Sequence, residues 1–261
     1  MTSQIGQGAG AGAVRAMLRA ILPPVVPGVL LLAGWIAAVD SGSVSPFFLP
    51  HPADLAREFV SALRDGGLLD ATGTTLYESF CGTALGLVVA VPLGYLLARS
   101  RLAARALQPY LAATQAVPAV ALAPLLALWL GYGVEPVIVL CALMVFFPIL
   151  VNTTLGVRTV DREVMAAALV DGVGRWGMMR YIEFPLALPS VLAGIRTGLT
   201  LSVTGAVVGE FVMGGDGLGE LLAVQRNGSD TVGMFSTLLM LSLLAVGLFA
   251  AMRLIETRLE R

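Results

Sequence analysis

The chain contains no lysine: all sixteen of its basic residues are arginine, and seventeen acidic residues bring the formal net charge to −1. A phosphate-binding P-loop needs a lysine that reaches the β- and γ-phosphates, so no standard one is present and the chain has no ATPase site of its own. There is one histidine, His51, set between Pro50 and Pro52. It reads as a turn residue, and no second histidine exists to build a zinc cluster or a metalloprotease helix with it. No G-x-S-x-G elbow occurs, and nothing marks a serine that would work with His51. The two cysteines, Cys81 and Cys141, lie inside apolar runs and read as packed thiols. Charge of either sign is scarce as well, 13% of residues against about 25% in soluble domains. With 57% hydrophobic residues and a mean hydropathy of +0.87, so few charges cannot cover a soluble surface. The bilayer is the solvent for most of the chain, and an enzyme is not expected.

What is present is a set of apolar runs. Six spans of the required length of about 20 residues can be placed. They are Leu22–Val39, Thr75–Ala98, Leu107–Leu130, Pro136–Val157, Leu186–Gly209 and Gly233–Leu254. The arginines are sorted by side. Arg15, Arg19, Arg99, Arg101, Arg105, Arg158, Arg162, Arg175, Arg180, Arg253, Arg258 and Arg261 fall on one side, and only Arg57, Arg64 and Arg226 on the other. By the positive-inside rule both termini and the 158–185 loop are cytoplasmic. Residues 1–20, rich in Gly and Ala at their start, are expected to be a flexible cytoplasmic segment before a transmembrane domain over 21–261. In the first outer loop, Leu55, Phe59 and Leu63 recur every fourth residue and predict an amphipathic helix. Glycines spaced by about four in spans two and five (Gly82, Gly86; Gly194, Gly198) read as sites of close helix packing.

Between spans four and five lies a charged island. Asp161, Arg162 and Glu163 open a helix, as acidic groups at an N-terminus should. Asp171-Gly172 breaks it, and a second helix is predicted over Arg175–Ile182, with Trp176, Met179 and Ile182 on one face and Pro185 as its end. Read from these residues alone, the segment is either an amphipathic hairpin docked on its own bundle or a knob offered to a soluble partner.

The spacing resembles the cytoplasmic loop shared by the membrane subunits of bacterial ABC importers: E-A-A, three residues, G, nine residues, I-x-L-P. Ala166, Ala167 and Ala168 take the first three places, followed by Gly172, Ile182 and Phe184-Pro185. Two identities depart, Ala166 for Glu and Phe184 for Leu, and Glu163 stands one helical turn before the missing carboxylate. LPHPADL, AVPAVALAPLLALWLGYG, FFPILVNTTLGVRTVD and GLGELL further resemble the nitrate, sulfonate and taurine permeases, a branch to which thiamine-precursor and riboflavin permeases look similar.

This resemblance implies an all-α polytopic protein with the type I ABC importer permease fold, lodged in the bacterial inner membrane. It implies a homodimer served by two cytoplasmic ATPase subunits, which use ATP and Mg, while this chain binds no cofactor or metal. A periplasmic or lipid-anchored binding protein would deliver a small oxyanion such as a sulfonate, taurine or nitrate, docking on residues 45–73 and 210–232. The alternative cargo is a thiamine-precursor pyrimidine or riboflavin. Glu163, Ala166, Ala167, Ala168, Gly172, Arg175, Trp176 and Pro185 would form the coupling contact with the ATPase. Besides lipid, no further partner is implied, and nucleic acid is not one. The rival class is an ion-coupled transporter or channel, which needs ionisable or polar groups within the spans. Candidates for a path are Gln115, Arg196 and Glu210. Gln115 would face a pathway or bond within the bundle, and Arg196 would pack, snorkel or line an anion route. Glu78 and Glu210 are expected at the outer interface, Glu210 as a gate in the alternative. GGDGLGELL is either a re-entrant turn and helix or a flexible loop.

Overall fold

The computed structural model describes residues 26–65 and 67–259, and every regular element among them is helical. The expected flexible segment 1–20 lies outside the described residues. The chain divides into two compact units at Glu58/Phe59.

In the first unit α1 (Val26–Asp40) is a short apolar helix that exposes Val29, Leu30 and Leu31. It is the described part of the first expected span. The Trp35 indole donates to the Pro50 carbonyl at 3.0 Å, which closes the turn behind it. His51 is a turn residue, as its proline neighbours implied: its Nδ1 accepts the Ala53 amide at 3.1 Å at the start of α2 (Pro52–Arg64).

The second unit is built on α6 (Val134–Arg158), which packs between α3 (Gly67–Arg99) and α9 (Phe184–Met213). Backbones come close at glycines. A Cβ on Gly82 would run into Cys141, one on Gly94 would lie 2.8 Å from Thr153 Cβ, and one on Gly194 would lie 2.8 Å from Asn152 Cβ. Lipid tails give helices no hydrophobic reason to associate, so this close contact supplies the dispersion that holds the bundle together. Val137, Leu140, Val145 and Ile149 of α6 are wholly buried as a result. Cys141 is buried too and donates to the Ser202 carbonyl at 3.3 Å, a packed thiol. Phe59 and Leu63 of α2 rest on a second cluster around Leu68, Val203 and Leu218, the apolar stripe expected of that helix.

α3, α6, the continuous rod Arg175–Met213 and α11 (Thr231–Leu259) are each long and apolar enough to cross a bilayer. The expected third span is different. Instead of one helix, α4 (Arg101–Ala116) and α5 (Ala123–Leu130), the latter preceded by a 3-10 turn over Ala119–Leu122, meet at a bend of 80°. Pro118 donates no amide and forces Val117 into extended geometry (φ −85°, ψ 118°), so the helix stops inside the expected span.

Candidate coupling site

α6 ends at Arg158, whose guanidinium donates to the Leu97 carbonyl of α3 at 2.9 Å. After a short turn Asp161 caps α7 (Arg162–Val170) by accepting the Glu163 amide at 2.8 Å. Only Ala168 of α7 is buried, while Ala166, Ala167, Leu169 and Val170 face outward. The helix ends in a Schellman turn: Gly172 N–H donates to Leu169 O at 3.1 Å and Val173 N–H to Ala168 O at 3.0 Å. Gly172 carries φ +78°, the left-handed geometry that this turn requires.

The second half of the loop differs from the expectation. α8 (Arg175–Gly177) does not end at Pro185. It runs through a π-helical stretch, Met178–Glu183, directly into α9, and Pro185, which has no amide to return to the preceding turn, follows directly on that π stretch. The π turn shifts the phase of the helix. Trp176 is therefore 70% exposed and shares no buried face with Met179 and Ile182, while Met178 and Glu183 turn inward. Trp176, Tyr181, Leu169 and Val170 are all exposed on this loop, on either side of Gly172 and Arg175 in sequence, with Glu163 exposed at the opposite end of α7.

Glu183 anchors this knob and was not singled out in the sequence. It is 2% exposed, it pairs with Arg99 of α3, and it accepts the Tyr95 hydroxyl at 2.7 Å. Arg99 also reaches Met165 Sδ of α7 at 3.0 Å, so one α3 side chain touches both halves of the loop. Glu183→Gln is expected to lower uptake severalfold while ATPase co-purification stays intact. The thermal midpoint should fall by only a few degrees, because Arg99 stays partly hydrated and the pair contributes about 1 kcal/mol. Transport assays on reconstituted vesicles, read beside a melting curve, check both.

The candidate path residues are not brought together. Gln115 lines a cleft of about 450 Å³ between α4 and α6. The Arg196 guanidinium lies 5.5 Å from the centroid of the Phe249 ring on α11, a packing contact. Glu78 and Glu210, expected at the interface, are both wholly buried and neighbour each other. For Glu210 the reason is local. α9 stops at Met213, and Gly214 and Gly215 turn the chain at positive φ into α10 (Leu218–Asn227), whose cap residue Gly217 has no side chain to offer. Glu210 caps it instead. Its Oε2 accepts the Gly219 amide at 2.5 Å and its Oε1 accepts the Thr75 hydroxyl at 2.7 Å, while Thr75 Oγ1 accepts the Leu218 amide at 2.9 Å. A Cβ on Gly217 would collide with the Glu210 carboxylate, and one on Gly219 with the Val207 carbonyl, so both glycines are packing requirements. GGDGLGELL is thus a tight turn and a helix seated on the bundle.

Comparison with known proteins follows this geometry. Residues 90–261 match the family described as binding-protein-dependent transport system inner membrane component. A riboflavin transport system permease protein of Chloroflexus aurantiacus is 44% identical over 89% of this chain and 87% of its own length. A formylaminopyrimidine transport permease protein of Halalkalibacterium halodurans is 31% identical over 90% of this chain and 93% of its own. A putative aliphatic sulfonates transport permease protein of Bacillus subtilis is 29% identical over 93% and 86%. Among solved structures, a chain of the methionine ABC transporter MetNI in an inward-facing conformation aligns with a TM-score of 0.67 at 20% identity. The alignment covers 75% of this chain and 97% of that one, a likeness of fold.

Proposed function

The chain belongs to the binding-protein-dependent transport system inner membrane components and is the permease subunit of an ABC importer, and from that premise we propose that its cargo is a nitrogen heterocycle of the flavin or pyrimidine type. One observation carries this reading: the 44% identity with a riboflavin permease over 89% of the chain, against 29% with a sulfonate permease. The geometry is consistent with it, since Arg196, the arginine within a span that an oxyanion route would use, is engaged with Phe249. The oxyanion reading from the sequence motifs becomes the alternative. The ion-coupled transporter or channel loses its ground with family membership.

ATP hydrolysis belongs to a separate subunit, and a substrate-binding protein is a partner. The finer assembly is part of the proposal. Two copies of this permease form the pathway, with one ATPase docked on the exposed Trp176 and Leu169 side chains of each loop, on the arginine-rich, cytoplasmic side. The binding protein would meet the opposite face, over residues 45–73 and 210–232. That assignment leaves Gln115, Arg196 and Glu210 with different roles: a cleft wall, a packing contact and a helix cap.

The test is uptake by proteoliposomes carrying the chain with its ATPase and binding protein. ATP-dependent accumulation of riboflavin or an aminopyrimidine, not competed by taurine, is the expected result. Accumulation of an aliphatic sulfonate with no flavin or pyrimidine uptake would overturn the cargo assignment. Uptake without a co-purifying ATPase would overturn the coupling-loop assignment.

A further inference from the structure

Five arginines converge where they have little to pair with. Arg99, Arg101, Arg105, Arg158 and Arg162 wall a cavity of about 550 Å³ at the arginine-rich end of the bundle, and no acidic residue lines it. Of these five, only Arg99 has an ion pair among the described residues, with Glu183, and Arg158 donates to a backbone carbonyl. Arg101 and Arg162 are the first residues of α4 and α7, so two helix N-termini lie at the same cavity; that of α7 is answered by its Asp161 cap and Glu163, and that of α4 by no acidic residue. A first helical turn usually carries acidic residues. α4 has none there and carries Arg101, with Arg105 one turn on, so the charge runs against its own dipole. An anion in the cavity would answer all of these groups at once.

The cavity is not isolated. It shares Leu97, Ala104 and Arg158 with the 450 Å³ cleft between α4 and α6. That cleft is walled mostly by apolar side chains, Leu111, Ala112 and Phe147 among them, with Gln108, Gln115 and Thr154 as its polar members. From Arg158 to Phe147 it climbs roughly 16 Å along α6 at 1.5 Å per residue, about the depth of one leaflet of a ~30 Å hydrocarbon core. Cationic groups at the interface, with an apolar slot rising from them into the membrane, have the shape and chemistry of a lipid. A free phosphate would have no use for the slot.

We propose that this basin and groove bind one anionic phospholipid, its phosphate on the arginines and one acyl chain along the α4–α6 slot. The assignment rests on placement in the membrane and not on which solute is carried. Because Arg162 and Met165 of α7 wall the basin themselves, and Arg99 there also holds Glu183, the headgroup lies directly against the coupling loop.

The experiment is native mass spectrometry of the full chain in detergent, with dioctanoyl phosphatidylglycerol, dioctanoyl phosphatidylcholine and inorganic phosphate as probes. Phosphatidylglycerol is expected to remain bound at one per chain and phosphatidylcholine to be lost. The double variant Arg101→Gln/Arg105→Gln should cut retention about tenfold or more. Arg253→Gln/Arg258→Gln, on the same side but outside the basin, should not change it. Ala112→Phe, which fills the slot and leaves the charge untouched, should weaken retention too, and gives the answer if the double variant does not fold. Equal retention of phosphatidylcholine, or unchanged binding in both basin and slot variants, overturns the proposal. Displacement of the lipid by millimolar inorganic phosphate would make this a free-phosphate site and overturn the lipid assignment. Flavin uptake is not measured, so a failure of the cargo reading leaves this result intact.

Discussion

Gly172→Val is expected to cut ATP-driven uptake at least tenfold while the protein still inserts in the membrane and still co-purifies with its ATPase. Space is not the obstacle, since nothing lies within 4 Å of a Cβ at that position. The obstacle is the backbone. Gly172 holds φ +78° so that Gly172 and Val173 can return their amides to Leu169 and Ala168. A side chain in left-handed geometry costs about 1–2 kcal/mol, and a β-branched one lies at the upper end. The Schellman turn would relax and α7 would lose its fixed angle to α8. Asparagine tolerates the left-handed region far better, so Gly172→Asn should keep most of the uptake. ATPase activity and uptake measured together in proteoliposomes separate coupling from assembly. Unimpaired uptake in the valine variant would show that the angle between the two loop helices carries nothing.

The second large effect is on the opposite face. Glu210→Ala leaves the Gly219 amide and the Thr75 hydroxyl without their acceptor in a wholly buried place. Each hydrogen bond to a carboxylate contributes about 1.5–3 kcal/mol, so a loss of about 3 kcal/mol or more is expected. For a chain of this size that lowers the thermal midpoint by about 10 °C in detergent. Glu210→Gln keeps one acceptor oxygen and should lose about half as much. Gly219→Ala should resemble Glu210→Ala, because its new Cβ meets the Val207 carbonyl and also lies 2.9 Å from Glu210 Cβ. A midpoint unchanged in Glu210→Ala would mean that water replaces the carboxylate and that α10 needs no cap from α9.

These two residues mark what could and could not be read from the sequence. Gly172 announces itself, because a helix end is a local event and its break sits at fixed spacing from Ala166–Ala168 and Pro185. The helical class and the apolar runs were equally local. Glu210 gives no such sign. Its partner Thr75 is 135 positions away, and only the fold brings the two together. Glu183 and Tyr95 are 88 apart and equally silent. GLG between an acidic residue and an apolar helix start was a usable clue, since glycines are required where another group occupies the Cβ position, but sequence alone did not say which group. Trp176 was misplaced for a different reason. A 3.6-residue period was extended through Met178–Glu183, and a π turn adds a residue to each turn and shifts the phase. The bend at Pro118 fell inside an expected single span, Leu107–Leu130, because sequence does not reveal whether neighbouring helices will bridge the missing bond.

The absence of a break between α8 and α9 has a mechanical consequence. The helical path from Arg175 to Met213 is 39 residues, roughly 58 Å at 1.5 Å per residue. The indole of Trp176 and the carboxylate of Glu210 therefore belong to one stiff body that starts in the solvent on one side and finishes beneath the turn on the other. No turn interrupts that body, and the six π-helical residues from Met178 to Glu183 are the stretch whose hydrogen-bond register leaves it most give, so a load on the Trp176 end should flex it there first.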